Sequence, residues 1–204
     1  MPGSQRLIVG ITGASGAILG VRLLETLRRL GVETHLVMTK PAEMTLAYET
    51  DLKLAQVHAL AAVRHAIGDV GAPIASGSFK TMGMVVAPCS VRSLAEIATG
   101  ATANLLTRAA DVTLKERRRL VLLVRETPLL GSHIRAMLQV TEMGGIVAPP
   151  VPAFYVRPAT VDAIVDQTVG RVLDLFDLDS GAVGRWGESA SPAANLGARR
   201  AQRE

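Results

Sequence analysis

Short unbroken apolar runs recur along the chain: Leu7-Ile8-Val9-Gly10-Ile11, Thr34 to Met38, Gly83 to Ala87, Leu120 to Val124 and Gly145 to Val147. Runs of that length without alternation predict strands buried on both faces, as in a parallel sheet. Between them apolar positions return at helical spacing, with Val21, Leu24 and Leu27 on one face of Ala17 to Leu30. Further helices are predicted over Ala42 to Tyr48, Leu52 to Val63, Val91 to Thr99, Leu105 to Lys115, Gly131 to Met143 and Thr160 to Phe176. Strand and helix alternate, with no internal repeat and no linker. That pattern predicts an α/β fold in three layers, a mostly parallel sheet with helices on both faces, in one domain over residues 1–180. From Asp179 the chain turns to Gly, Ser, Ala and Arg, so residues 181–204 are expected to form a tail whose end is mobile.

Composition narrows the function. The 204 residues suit a single domain, and at 49% hydrophobic but only 3% aromatic the core must be aliphatic. A net charge of +4 suits anionic small molecules as well as nucleic acid. Single-stranded nucleic-acid binders stack bases on aromatic rings, and one Trp, two Tyr and three Phe argue against that reading. A single cysteine, Cys89, excludes an internal disulfide and points to a reducing compartment. No apolar run approaches the ~18 residues of a membrane span, and no signal-type apolar core precedes the first strand. The expectation is a soluble cytoplasmic protein that binds neither nucleic acid nor membrane.

The candidate chemistry lies at strand ends, where open α/β sheets place their ligands. Gly10-x-x-Gly13-x-Ser15-Gly16 opens a helix directly after the first strand, so backbone amides and the helix N-terminus can meet an anion. The spacing is not G-x-G-x-x-G, and Thr39 and Lys40 stand where a ribose-binding acid would end the second strand. This favours a terminal phosphate over NAD, although a turn that only packs strand on helix reads equally well. Pro88-Cys89-Ser90-Val91-Arg92-Ser93 repeats the logic. Ser90 and Ser93 either cap the next helix or, with the Val91 and Arg92 amides, contact a polar ligand. Cys89 reads as buried rather than nucleophilic. Arg125 and Glu126 stand side by side past the Leu120 to Val124 run, placed to grip a phosphate and move a proton. Arg108 and Lys115 share one helical face, being seven residues apart. Glu116 to Arg119 reads as solvated surface, as does the acidic helix end Asp174, Asp177 and Asp179. The four histidines show no metal-ligand spacing, and no metal site is expected.

These segments resemble, in order, the flavin prenyltransferases of the UbiX/Pad type, within the wider flavin-binding cysteine-decarboxylase-like fold. The resemblance runs from about Leu7 to Trp186. It rests on Gly10-Ile11-Thr12-Gly13-Ala14-Ser15-Gly16-Ala17, Glu49-Thr50-Asp51, Ala75-Ser76-Gly77-Ser78, Pro88-Cys89-Ser90, Arg108-Ala109-Ala110-Asp111, Leu114-Lys115-Glu116-Arg117-Arg118, Val124-Arg125-Glu126-Thr127-Pro128 and Pro152-Ala153-Phe154-Tyr155. It implies a Rossmann-like fold and a transferase of alkyl groups other than methyl, acting on FMN without a metal. Reduced FMN would take a dimethylallyl group from dimethylallyl monophosphate at N5 and C6, giving the prenylated flavin used by UbiD-type decarboxylases.

By the same resemblance, Gly13, Ala14, Ser15, Thr39, Ser90, Val91, Arg92, Ser93 and Arg125 would bind FMN. Tyr155, Arg171, Lys115 and Arg108 would bind the prenyl phosphate. Glu126, Glu49, Lys115 and Ser15 would carry the catalysis, with Glu126 handling the proton near N5. The resemblance implies a homododecamer with sites at subunit interfaces. Thr39 and Ser93 keep hydroxyls where many members have serine and threonine, and Val70 stands where some carry tryptophan. The competing readings are an FMN-dependent decarboxylase of the sister group and a non-catalytic flavin carrier. The first is expected to need a histidine after the first glycine turn, and Ala17 to Leu30 has none.

Overall fold

The first apolar run forms β1 (Arg6–Ile11), which pairs in parallel with β2 (Glu33–Met38) on one side and β4 (Gly83–Cys89) on the other. β3 (Val63–His65) extends the sheet beyond β2, and β5 (Arg119–Val124) and β6 (Ile146–Val147) extend it beyond β4. The order is β3-β2-β1-β4-β5-β6 with every pairing parallel, a Rossmann-like arrangement whose direction of winding reverses between β1 and β4. The computed structural model describes residues 5–187; the expected tail therefore falls largely outside the described residues. The chain divides into two compact units, Met1–Pro150 and Val151–Glu204.

In the first unit α1 (Ala17–Arg29) packs against β1, β2 and β4, with α2 (Lys40–Glu49) and α3 (Leu54–Leu60) beside it. Its stripe of Leu23, Leu24 and Leu27 is wholly buried, as the 3.6-residue period requires. α4 (Val91–Thr99), α5 (Leu105–Lys115) and α6 (Gly131–Glu142) share one aliphatic cluster with the sheet. Ile8, Met84, Val86 and Leu122 meet Leu94, Leu106, Ala109 and Val140 there. The cluster is mainly aliphatic, with Phe79 packed against it, in keeping with the scarcity of aromatics. Among the described residues no helix is long and apolar enough to cross a membrane.

Two sequence expectations give way. The helix expected from Leu52 to Val63 stops at Leu60, and Val63–His65 forms the edge strand β3. Three residues, two of them exposed, are too few to show a strand period, and the Thr34 side chain accepts from the Ala62 amide, helping to fix the chain where it enters the sheet. The basic run after α5 is not uniformly solvated either. Arg118 is largely buried and donates to the carbonyls of Gly77 (2.6 Å) and Phe79 (2.7 Å), clamping the Ala75-Ser76-Gly77-Ser78 segment.

Among its described residues, the second unit carries a 3-10 turn at Phe154–Val156 and α7 (Val161–Asp174), whose N-cap Thr160 accepts from the Ala163 amide at 3.1 Å.

Candidate functional site

The winding reversal puts the carboxyl ends of β1 and β4 side by side, and Thr12 ties them together. This fully buried residue donates its hydroxyl to the Pro88 carbonyl (2.8 Å) and accepts from the Ser90 amide (2.7 Å). Thr12→Val keeps the shape and leaves the Ser90 N–H without that acceptor, so stability should fall by about 1–3 kcal/mol. Chemical denaturation checks this, and a change below about 0.5 kcal/mol would show that the tie is dispensable.

Three helix starts and the turn that leads into α1 converge beyond this tie. Gly13 lies in the turn leading into α1. Thr39 caps α2 through a bond from the Ala42 amide, with Pro41 in the first turn. Ser90 caps α4 by accepting from the Ser93 amide (3.3 Å) and donates its hydroxyl to Ser93 Oγ (3.2 Å). Asn104 caps α5 by accepting from the Thr107 amide at 3.1 Å. All four residues line one cleft of about 330 Å³, with Lys40, Pro41, Ile67, Arg92, Ser93 and Glu96. The starts of α2, α4 and α5 each present roughly half a positive charge, so the cleft suits a phosphate group. Ser90 thus caps α4, and both Ser90 and Ser93 line the cleft.

Glu96, Asn104 and Ile67 escaped the sequence reading. Glu96 pairs with Arg92 (2.9 Å) and accepts from the Asn104 side-chain amide (3.3 Å), balancing the cation at the cleft wall. The signal for Asn104 was present, an Asn before a helical apolar run. Nothing in the sequence marks Glu96 apart from other helical acids.

A second cluster sits at the start of α1. Gly16, its N-cap, offers no side chain. Glu49, at the end of α2, supplies the cap instead, accepting from the amides of Gly16 (2.8 Å) and Ala17 (2.9 Å). Its pKa lies below the ordinary glutamate value. Desolvation is the largest single influence and pushes upward. The Ser15 hydroxyl bond, the two amides and the charge of Arg125 outweigh it together. Ser15, Glu49 and Arg125 therefore form one electrostatic group in which Glu49 is an anion at neutral pH.

A depressed folded-state pKa means that the stabilisation is present above the unfolded pKa and is lost as pH falls through the folded one. Glu49→Ala should therefore cost stability at pH 7, by less than about 1 kcal/mol because the group is exposed. The gap to the wild type should close in acid. A gap that stays constant with pH in denaturation curves would refute the capping role.

Arg125 and Glu126 lie exposed past the end of β5. The Arg125 amide donates to the Cys89 carbonyl (3.1 Å), and Glu126 Oε1 accepts from the Thr127 amide (3.0 Å). Cys89 itself is completely buried, and desolvation pushes its thiol up to about 12, so it is no nucleophile.

Arg108 and Lys115 do not join the cleft within one chain. Arg108 pairs with Asp111 (2.9 Å), and Lys115, paired with Glu116 (2.8 Å), ends α5. It stands about 15 Å along the axis from the start that borders the cleft. Tyr155 and Arg171 belong to the second unit. There the Tyr155 hydroxyl donates to the Gly184 carbonyl (3.2 Å), and Arg171 pairs with Asp174. Asp174 is thus not the solvated acid that its acidic neighbourhood suggested; its side chain is 15% exposed because two arginines cover it.

A parallel sheet wound in this order, with a glycine- and hydroxyl-lined cleft ringed by helix starts at its winding reversal, defines a Rossmann-like protein built to hold a phosphate-bearing ligand. The chain belongs to the Flavoprotein family, which matches residues 1–177, and within it to the UbiX-type flavin prenyltransferases. It is 56% identical over 182 residues to a flavin prenyltransferase UbiX from Thauera aromatica, covering 89% of this chain and 94% of that one. A UbiX protein solved in complex with FMN and dimethylallyl pyrophosphate superposes with a TM-score of 0.90 at 54% identity, covering 91% of this chain and 99% of the other. A dodecameric FMN-dependent UbiX-like decarboxylase from Escherichia coli O157:H7 gives 0.88 at 51% identity, covering 89% and 99%.

Proposed function

We propose that the protein is a flavin prenyltransferase, joining the dimethylallyl group of dimethylallyl monophosphate to N5 and C6 of reduced FMN with loss of phosphate. The observation that carries this reading is the convergence of three helix starts and the glycine turn before α1 on one cleft beside the Ser15, Glu49 and Arg125 group. The cleft fits FMN by its phosphate. Gly13, Thr39, Ser90, Arg92 and Ser93 line it, with Lys40 adding a cation, and the Ala14 and Val91 amides would join them. Ser15 and Arg125 flank the ring side, and Glu126 holds or takes a proton there.

Cleaving the allyl–oxygen bond develops negative charge on the departing phosphate. Tyr155, Arg171, Lys115 and Arg108 would meet it, each charge-assisted bond contributing about 1.5–3 kcal/mol. A monophosphate needs fewer countercharges than a diphosphate, and these cations serve in place of a metal clamp. An aliphatic pocket around the prenyl chain would keep water from the allyl group.

The distance of Lys115 from the cleft in its own chain supports a site completed by a neighbouring subunit in a homododecamer. Leu130, Ile134 and Leu138 form an exposed apolar stripe along α6, the kind of surface that subunits cover. The product, prenylated FMN, would pass to a UbiD-type decarboxylase. The sister-group decarboxylase reading fares worse, since α1 contains no histidine.

Phosphate release separates the readings. Reduced FMN, dimethylallyl monophosphate and the protein together should liberate inorganic phosphate, and omission of any one should stop it. Release of carbon dioxide from a cysteinyl peptide or phenolic acid without phosphate release would favour the decarboxylase, and neither product a flavin carrier.

A further inference from the structure

We propose that Asp174 and Gln167 are positioning residues that tie the two prenyl-phosphate ligands, Arg171 and Tyr155, to one backbone segment, Gly184-Arg185. This rests on the assignment of Arg171 and Tyr155 to the prenyl phosphate made above.

Gln167, Arg171 and Asp174 lie at i, i+4 and i+7 on α7 and share a face. Arg185 grips Asp174 with two parallel bonds, Nη1 to Oδ2 and Nη2 to Oδ1, both 3.0 Å. Arg171 donates to the same Oδ2. Asp174 is held below its ordinary pKa first by the Arg185 hydrogen bond and, against desolvation, by the bond from Arg171. One carboxylate thus fixes two guanidiniums. Arg171 spends one donor on it and keeps a fork of others on a half-exposed side chain.

Gln167 does the corresponding work for Tyr155. Its buried side-chain amide pairs with the Gly184 backbone in both directions, accepting from the N–H (2.8 Å) and donating to the carbonyl (3.1 Å). The Tyr155 hydroxyl donates to that same carbonyl (3.2 Å), and Gln167 Nε2 lies 3.4 Å from the hydroxyl oxygen. Glycine at 184 lets this segment approach closely, because a Cβ there would stand 2.6 Å from Cγ1 of Val156, the neighbour of Tyr155, and would push the two apart. Both phosphate ligands are therefore braced by two consecutive residues. A carboxylate beside a phosphate-binding arginine weakens its field, so the benefit of Asp174 is geometric: it holds the guanidinium where charge will develop.

The test is saturation kinetics of phosphate release on the full-length oligomer. FMN affinity and thermal unfolding are read in parallel, for Asp174→Ala, Asp174→Asn, Gln167→Ala, Arg171→Ala and the Asp174→Ala/Arg171→Ala double variant. Asp174→Ala and Gln167→Ala should each raise KM for dimethylallyl monophosphate about tenfold while the Kd for FMN stays within about twofold. The double variant should be little worse than Arg171→Ala alone, because the two act as one unit. If Asp174→Ala does not fold, Asp174→Asn keeps the shape and one acceptor, and should raise KM about threefold. An unchanged KM in the folded variants, additive effects in the double variant, or equal loss of FMN and prenyl-phosphate affinity would overturn the inference. If Arg171→Ala itself leaves KM unchanged, the phosphate assignment of Arg171 fails instead.

Discussion

Glu126→Gln should bind FMN normally and turn over about 10²–10⁴-fold more slowly than the wild type, the usual contribution of a positioned general acid or base. The carboxamide keeps the size of the side chain and an oxygen to accept from the Thr127 amide, as Glu126 Oε1 does at 3.0 Å. It does not keep a carboxyl group that can exchange a proton with the flavin. Glu126 is exposed past β5 and is not among the residues lining the phosphate cleft, so flavin affinity has no reason to change. Single-turnover kinetics with saturating FMN would isolate the chemical step. A variant with wild-type rates would remove Glu126 from the mechanism, and one that lost FMN affinity and rate in parallel would make it a binding residue.

Gly13→Ala should weaken FMN binding by more than about tenfold and lower stability by about 1–3 kcal/mol, the cost of overpacking a tight contact. A Cβ at position 13 would lie 2.3 Å from Cβ of Pro41 and 3.1 Å from its carbonyl carbon. Neither partner is a flexible side-chain tip. Pro41 is locked by its ring into the first turn of α2, and the residue 13 turn is anchored by Thr12 to Pro88 and Ser90. The methyl group must therefore push apart two walls of the same cleft. Titration with FMN against the wild type checks the affinity, and denaturation the stability. Wild-type affinity in Gly13→Ala would place the phosphate elsewhere.

Much of this architecture was legible in the apolar pattern. Helices Val91–Thr99 and Leu105–Lys115 match their predicted bounds because each starts at a hydroxyl or amide cap and ends where the apolar period stops. β3 was not legible. It is three residues long, at the sheet edge, and runs on from a helical apolar stretch.

The site divides in the same way. The glycine turn, Thr39 and the Ser90 segment stood at strand ends, where parallel-sheet geometry alone places ligands. The bond from Gly16 to Glu49 spans 33 positions, and no local period reveals it. Arg108 and Lys115 were rightly placed on one helical face, but spacing could not show that each pairs with a nearby carboxylate, or that Lys115 stands at the far end of α5 from the cleft. Asp174 looked solvated because its arginine partner at 185 lies beyond the end of α7.

The central claim is tested most directly by the mass of the flavin recovered after anaerobic incubation of the protein with reduced FMN and dimethylallyl monophosphate. A flavin heavier by one prenyl unit is the predicted result. Recovery of unmodified FMN from protein shown to bind both compounds would contradict the account.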